Sequence, residues 1–222
     1  MIRSILLKEG LKLRWVFLAA LAVNVAFCVK VFLDIRQQMN TEHAQMVWYQ
    51  AVHLQTVFQY QMRHLPLLTG LALAAAQFVP ELLGRRMRIA LHLPVARETM
   101  LVWCLLAGLG HVLVVIGMVA GLTHLTMTRY FPAEVSLSAL ATMAPWYAAG
   151  LMGYLGAAVL LLEPGWPRRL FLGLMYGTAA FVLLMGLGYG WFTPALPWLV
   201  ILLPLALLGV FEPCRRFHQG GA

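Results

Sequence analysis

Three histidines, His43, His53 and His64, share one polar stretch with Met46 and Met62, offering the nitrogen and thioether donors that suit copper or haem iron. Their spacing matches no ligand motif, and neutral side chains packing on an outer helix are the commoner explanation for such residues. A second set, Gln55, Gln59 and Arg63, recurs at i, i+4 and i+8 and would lie on one face of a helix. A polar face at membrane depth turns toward protein or a wet cavity. With His111, isolated in a later apolar run, these residues are candidates to line a translocation path. Packing against an outer cap serves the first three equally well, and an interhelical hydrogen bond serves His111 better.

Other chemistries are missing from the sequence. The only lysines are Lys8, Lys12 and Lys30, and none closes a glycine-rich phosphate loop. No Ser/His/Asp set, no His-Glu-x-x-His helix and no paired inward carboxylates are legible, since the acids lie mostly at the ends of apolar runs. The chain is expected to have no catalytic residue, to hydrolyse no nucleotide itself and to carry no cofactor of its own.

The elements that must position these residues are membrane helices. The chain is 62% hydrophobic and 11% charged, far from the roughly 25% charge of soluble domains. This composition points to a single all-α membrane domain over residues 1–222. Six spans are expected, at about 15–33, 62–80, 100–122, 139–162, 170–189 and 195–211, each set against the roughly 20 residues a bilayer requires. The basic amphipathic start, Met1 to Arg14, reads as an interfacial helix leading into the first span. Residues 35–61 read as an outer helical extension, with Lys30 and Asp34 paired at its base. Cys28 and Cys104 fall in apolar runs and Cys214 near the end, a spacing that gives no disulfide or zinc framework. Gly117-x-x-x-Gly121 and the Gly153 face are expected to pack inside the bundle rather than at a dimer seam.

Of the 16 Lys and Arg residues, all but Lys30, Arg36, Arg63 and Arg129 fall on one side of this plan. The positive-inside rule then places both termini in the cytoplasm of a cell whose inner membrane the chain crosses repeatedly. The net charge of +8 would suggest nucleic acid in a soluble chain. Beside apolar spans it sets topology and meets membrane lipids instead, so no nucleic-acid partner is expected.

One inner loop, residues 81–97, carries more than a topology signal. Glu81 and Leu82 lead out of the second span, Arg85, Arg86 and Arg88 alternate with apolar residues including Leu91, and Leu93-Pro94 stops the helix before Arg97 opens the third span. Glu81 followed by Leu91-His-Leu-Pro-Val-Ala-Arg97 resembles the Glu…Leu-x-Leu-Pro-Val-Ser-Arg signature of type-2 ABC transporter permeases. The six-span plan and the basic N-terminal segment agree with that family, although the motif itself occupies only residues 81–97. The resemblance implies a transport subunit whose Glu81 to Pro94 segment is a coupling helix. It implies an ATPase subunit that holds ATP and Mg, and a second permease half, identical or related. The link at residues 190–197 is too short for the re-entrant hairpin of the family's polysaccharide and drug exporters, so those substrate classes do not carry over. The rival readings are a structural or assembly subunit of a larger membrane complex and a metal- or haem-handling membrane protein.

Overall fold

A 40-residue helix, α1 (Ile2–Thr41), opens the computed structural model. The structure describes residues 2–54, 56–83, 97–186, 188–210 and 212–213. At about 1.5 Å per residue α1 runs for about 60 Å, twice the roughly 30 Å of a hydrocarbon core. No break separates its basic start from the apolar run at Trp15, so the expected interfacial segment forms the first turns of a single helix. Its inner face finds partners within the protein: Glu9 is 3% exposed and Leu13 is fully buried.

The outer extension also departs from the expected continuous helix. After α1 come α2 (Ala44–Val52) and a single 3-10 turn at Tyr60–Met62. Thr56 closes the bend between them, donating both its amide and its hydroxyl to the Gln50 carbonyl at 3.1 Å. Such local bonds offer the backbone an alternative to the helical ladder. Gln59 and Arg63 therefore share no helical face, and Gln55 lies outside the described residues.

The remaining helices are α3 (Leu65–Leu83), α4 (Arg97–Tyr130), α5 (Ala133–Leu162), α6 (Trp166–Leu184) and α7 (Leu196–Leu208). The described chain is 87% helical and contains no strand. Among the described residues four segments are long and apolar enough to cross a membrane: α1, Tyr60–Leu83, α4 and α5. The 13 residues of α7 reach about 20 Å.

Helix α5 is the hub, packed against α3, α4, α6 and α7. Of its apolar window 72% is buried, against 17% for α1 at the rim. Small residues make this possible, because apolar helices in lipid associate through close packing rather than through a hydrophobic drive. Gly70 of α3 lies directly on the Gly150 carbonyl of α5, and a Cβ on Gly150 would stand 2.7 Å from the Pro66 carbonyl. Gly153 packs on Leu67 and Gly156 on Tyr176, as the sequence pattern anticipates. Gly117 and Gly121 differ from that expectation: both are exposed, and a Cβ on either would meet nothing within 4 Å. Helices α1 and α4 run side by side in the same direction, since Phe17 meets His111 at 5.0 Å and Phe32 meets Tyr130 at 5.9 Å.

Candidate functional site

Where α3 reaches its C-terminal end, polar side chains from four helices meet in an otherwise apolar bundle. Lys8 and Glu9 each stand about one turn before Lys12 near the start of α1, and Gln77 and Glu81 stand one turn apart on α3. Lys12 donates to Glu9 at 2.9 Å and to Glu81 at 3.2 Å, while Lys8 lies 2.9 Å from the same Glu81 oxygen. The Glu9 and Glu81 side chains are only 4% and 8% exposed, Lys12 is 16% exposed, and Lys8 reaches out at 53%. Two buried carboxylates thus share a half-buried ammonium, with a second lysine at the rim.

Gln77 carries the network across the bundle. Its amide nitrogen donates to Glu9 at 2.9 Å and to the Cys104 carbonyl of α4 at 2.8 Å. Its amide oxygen accepts the Tyr154 hydroxyl of α5 at 2.6 Å. Gly108 makes room for this crossing, because a Cβ there would collide with both the Tyr154 hydroxyl and the Gln77 amide oxygen. A buried polar network is favourable only when its members are satisfied, and here one atom is left over: the second Glu81 oxygen is buried without a hydrogen-bond partner among the described residues.

Tyr154→Phe tests the crossing without changing its shape. The expected loss is about 1–2 kcal/mol of stability, because the buried Gln77 oxygen loses its donor. Unfolding of the full chain in graded denaturing detergent reads it, and an unchanged midpoint would mean that the Tyr154 bond contributes nothing.

Sequence reasoning missed this centre. It found no paired inward carboxylates, yet Glu9 and Glu81 are such a pair. The available signal was Gln77 and Glu81 at i, i+4 near the end of an apolar run, with Lys8, Glu9 and Lys12 repeating that spacing on another helix. Chemically, both acids face lysine, and the free thiol of Cys104, 3.2 Å from the Gln77 amide nitrogen, is buried. The pair can hold four helices in register and fix the point where the chain leaves α3.

No protein-family profile, curated sequence or solved structure matches this chain.

The residues expected to couple to an ATPase divide sharply. Glu81 is buried in the network, Leu82 is half-buried, and the neighbouring Leu83 is 82% exposed at the end of α3. Arg85, Arg86, Arg88, Leu91, Leu93 and Pro94 lie outside the described residues, and Arg97 begins α4.

The expected translocation face is not assembled as the sequence pattern suggested. Gln59 is fully buried, its amide nitrogen donating to the Ala139 carbonyl at 3.4 Å. Arg63 bonds the Tyr60 hydroxyl and lies 5.4 Å over that ring. His111 shares a 2.7 Å hydrogen bond with the Ala107 carbonyl of its own helix, where an interhelical bond was expected. Counted from the α4 to α5 turn at Phe131, Ala139 and His111 differ in depth by about 18 Å. Gln59 and His111 therefore belong to different levels of the bundle.

Nor do the outer histidines gather. His43, His53 and His64 are all exposed, and His53 lies tilted against the Tyr49 ring, 4.9 Å between centroids. Among the described residues no group of three or more His, Cys, Asp or Glu side chains is placed to hold a metal ion. Lys30 and Asp34 do not pair directly, because Gln61 stands between them, accepting from Lys30 and donating to Asp34 at 3.2 Å.

Proposed function

We propose that this chain is the membrane-spanning permease subunit of an ABC transporter, an exporter, driven by a separate ATPase subunit that holds ATP and Mg. The observation that carries the reading is the anchoring of Glu81. The residue that opens the Glu…Leu-x-Leu-Pro pattern is held by Lys8 and Lys12 of α1, and through Lys12, Glu9 and Gln77 to α4 and α5. A loop leaving such a point is tied to four helices, so a displacement of the loop would tilt them together. Glu81 in this reading holds the coupling segment, and Arg85, Arg86 and Arg88 meet the ATPase.

The finer plan belongs to the same proposal. Helices α6 and α7 serve as the fifth and sixth spans, the N-terminal turns and the loop after α3 face the cytoplasm of the inner membrane, and a second permease half completes the transporter. The Gln59 and Arg63 level marks its outer end.

Replacing Arg85, Arg86 and Arg88 together by Glu tests the coupling. Three reversed charges, each worth roughly 1 kcal/mol or less, are expected to reduce retention of a co-purifying ATPase about tenfold or more. Mass spectrometry of the affinity-purified full chain identifies the partner by its phosphate loop. Equal retention by the variant, or no phosphate-loop chain with the unmodified protein, would overturn the proposal in favour of a structural subunit.

A further inference from the structure

The cations outside the positive-inside count fall into two groups. Lys30 and Arg63 are held by Gln61 and Tyr60. Arg36 and Arg129 are exposed, and among the described residues neither side chain has an ion pair or hydrogen bond. Asp34, the acid nearest Arg36 in sequence, is taken up by Gln61. Unpaired arginines on the side of a membrane chain that ordinarily excludes them call for a counter-charge.

Arg129 stands at one end of an apolar groove, and Arg36 lies one helical turn beyond the Phe32 that lines that end. Between α1 and α4 lies a cavity of about 330 Å³, lined by Val25, Val29 and Phe32 on one side and Leu122 and Leu125 on the other, with Arg129 at its end. Its size is at the lower end of the roughly 300–1,000 Å³ of ligand pockets. Because α1 and α4 run in the same direction, their outer ends coincide: Phe32 lies against Tyr130, next to Arg129, and Arg36 follows Phe32 by one turn on the same face. The groove extends for about 10 Å from Val25 to Phe32, parallel to the bilayer normal of its two helices. Val29 and Leu125 are 50% and 66% exposed, so the groove opens sideways into lipid.

We infer that this groove holds one resident phospholipid, an acyl chain lying between α1 and α4 and the phosphate between Arg36 and Arg129. An apolar slot that opens into the hydrocarbon accepts an acyl chain, and two unpaired guanidiniums at the headgroup end match phosphate by charge and by forked geometry. Lipid that merely fills the annulus would not require both features at one place. The inference does not depend on the permease reading, since it uses only the α1 and α4 geometry.

Native mass spectrometry of the full chain in detergent, titrated with phosphatidylglycerol, tests it. One molecule per chain is expected to bind, and Arg36→Gln with Arg129→Gln is expected to weaken it about tenfold. Arg36→Lys with Arg129→Lys keeps the charge but loses the fork, and should bind more tightly than the glutamine variant and less tightly than the unmodified chain. Val29→Trp fills the groove while leaving both arginines, and should also abolish the specific molecule. Diacylglycerol, which has the chains without the phosphate, should bind about tenfold more weakly. The inference is overturned if the glutamine variants bind like the unmodified chain, if Val29→Trp binds normally, or if diacylglycerol binds equally well. All variants lie on exposed positions, and unchanged detergent unfolding would establish that each remains folded.

Discussion

Lys12→Met is expected to destabilise the folded chain by about 3–5 kcal/mol, because it strips the shared cation from a buried pair of carboxylates. Glu9 would keep only the Gln77 amide, at 2.9 Å, as its polar partner among the groups that now surround it. Glu81 would keep Lys8 at 2.9 Å, so the loss falls mainly on Glu9. The neighbouring Lys8→Met is the natural comparison. Lys8 is 53% exposed, solvent screens its pairing, and its removal should cost no more than about 1 kcal/mol. Glu9→Gln combined with Lys12→Met removes both charges of the inner pair and should recover a large part of the loss, as expected when the penalty is an uncompensated buried charge rather than lost packing. Reversible unfolding in graded denaturing detergent gives all four corners of that cycle. Equal costs for Lys8→Met and Lys12→Met would mean that the ionic centre is not buried in solution, and no recovery in the double variant would mean that Lys12 acts through its hydrocarbon stem.

That centre shows where sequence reading stops in a membrane chain. The apolar runs of α4 and α5 and the small-residue face around Gly153 were legible, because hydropathy and residue size act locally along one helix. Which face meets which helix was not, since lipid-facing and protein-facing sides are both apolar and the helical period no longer distinguishes inside from outside. Gly117-x-x-x-Gly121 and Gly70 illustrate the point. The first has the recognisable spacing and faces out, while the second has none and makes one of the tightest contacts in the bundle. The same limit hid Glu9 and Glu81, which are far apart in sequence and become partners only when α1 crosses α3. The bend at Thr56 was missed for a different reason. A hydroxyl bonding back to Gln50 is a local choice between two satisfied backbones, and a composition rich in helix-compatible residues does not reveal which one is taken.

Gly70→Ala is expected to cost about 2–3 kcal/mol, even though alanine is the better helix former by about 1 kcal/mol. The new Cβ would collide with the Gly150 carbonyl and stand 3.0 Å from the Tyr154 amide nitrogen, both backbone atoms of the hub helix that no rotamer change can move. The helices must separate, and the substitution of Gly150, already the smallest residue, offers no relief on the other side. Gly117→Ala provides the control, since a Cβ there meets nothing within 4 Å and should be neutral or stabilising by up to about 1 kcal/mol. The separation has a consequence beyond packing. Gln77 follows Gly70 on α3 by two turns, and Tyr154 follows Gly150 on α5 by one, so widening the α3 to α5 gap lengthens the Tyr154 to Gln77 bond of 2.6 Å. Adding Tyr154→Phe to Gly70→Ala should therefore cost less than adding it to the unmodified chain, a coupling that detergent unfolding of the two single variants and the double variant measures directly. Strict additivity would show that the glycine contact and the polar network are independent, and that the hub does not transmit a displacement from one to the other.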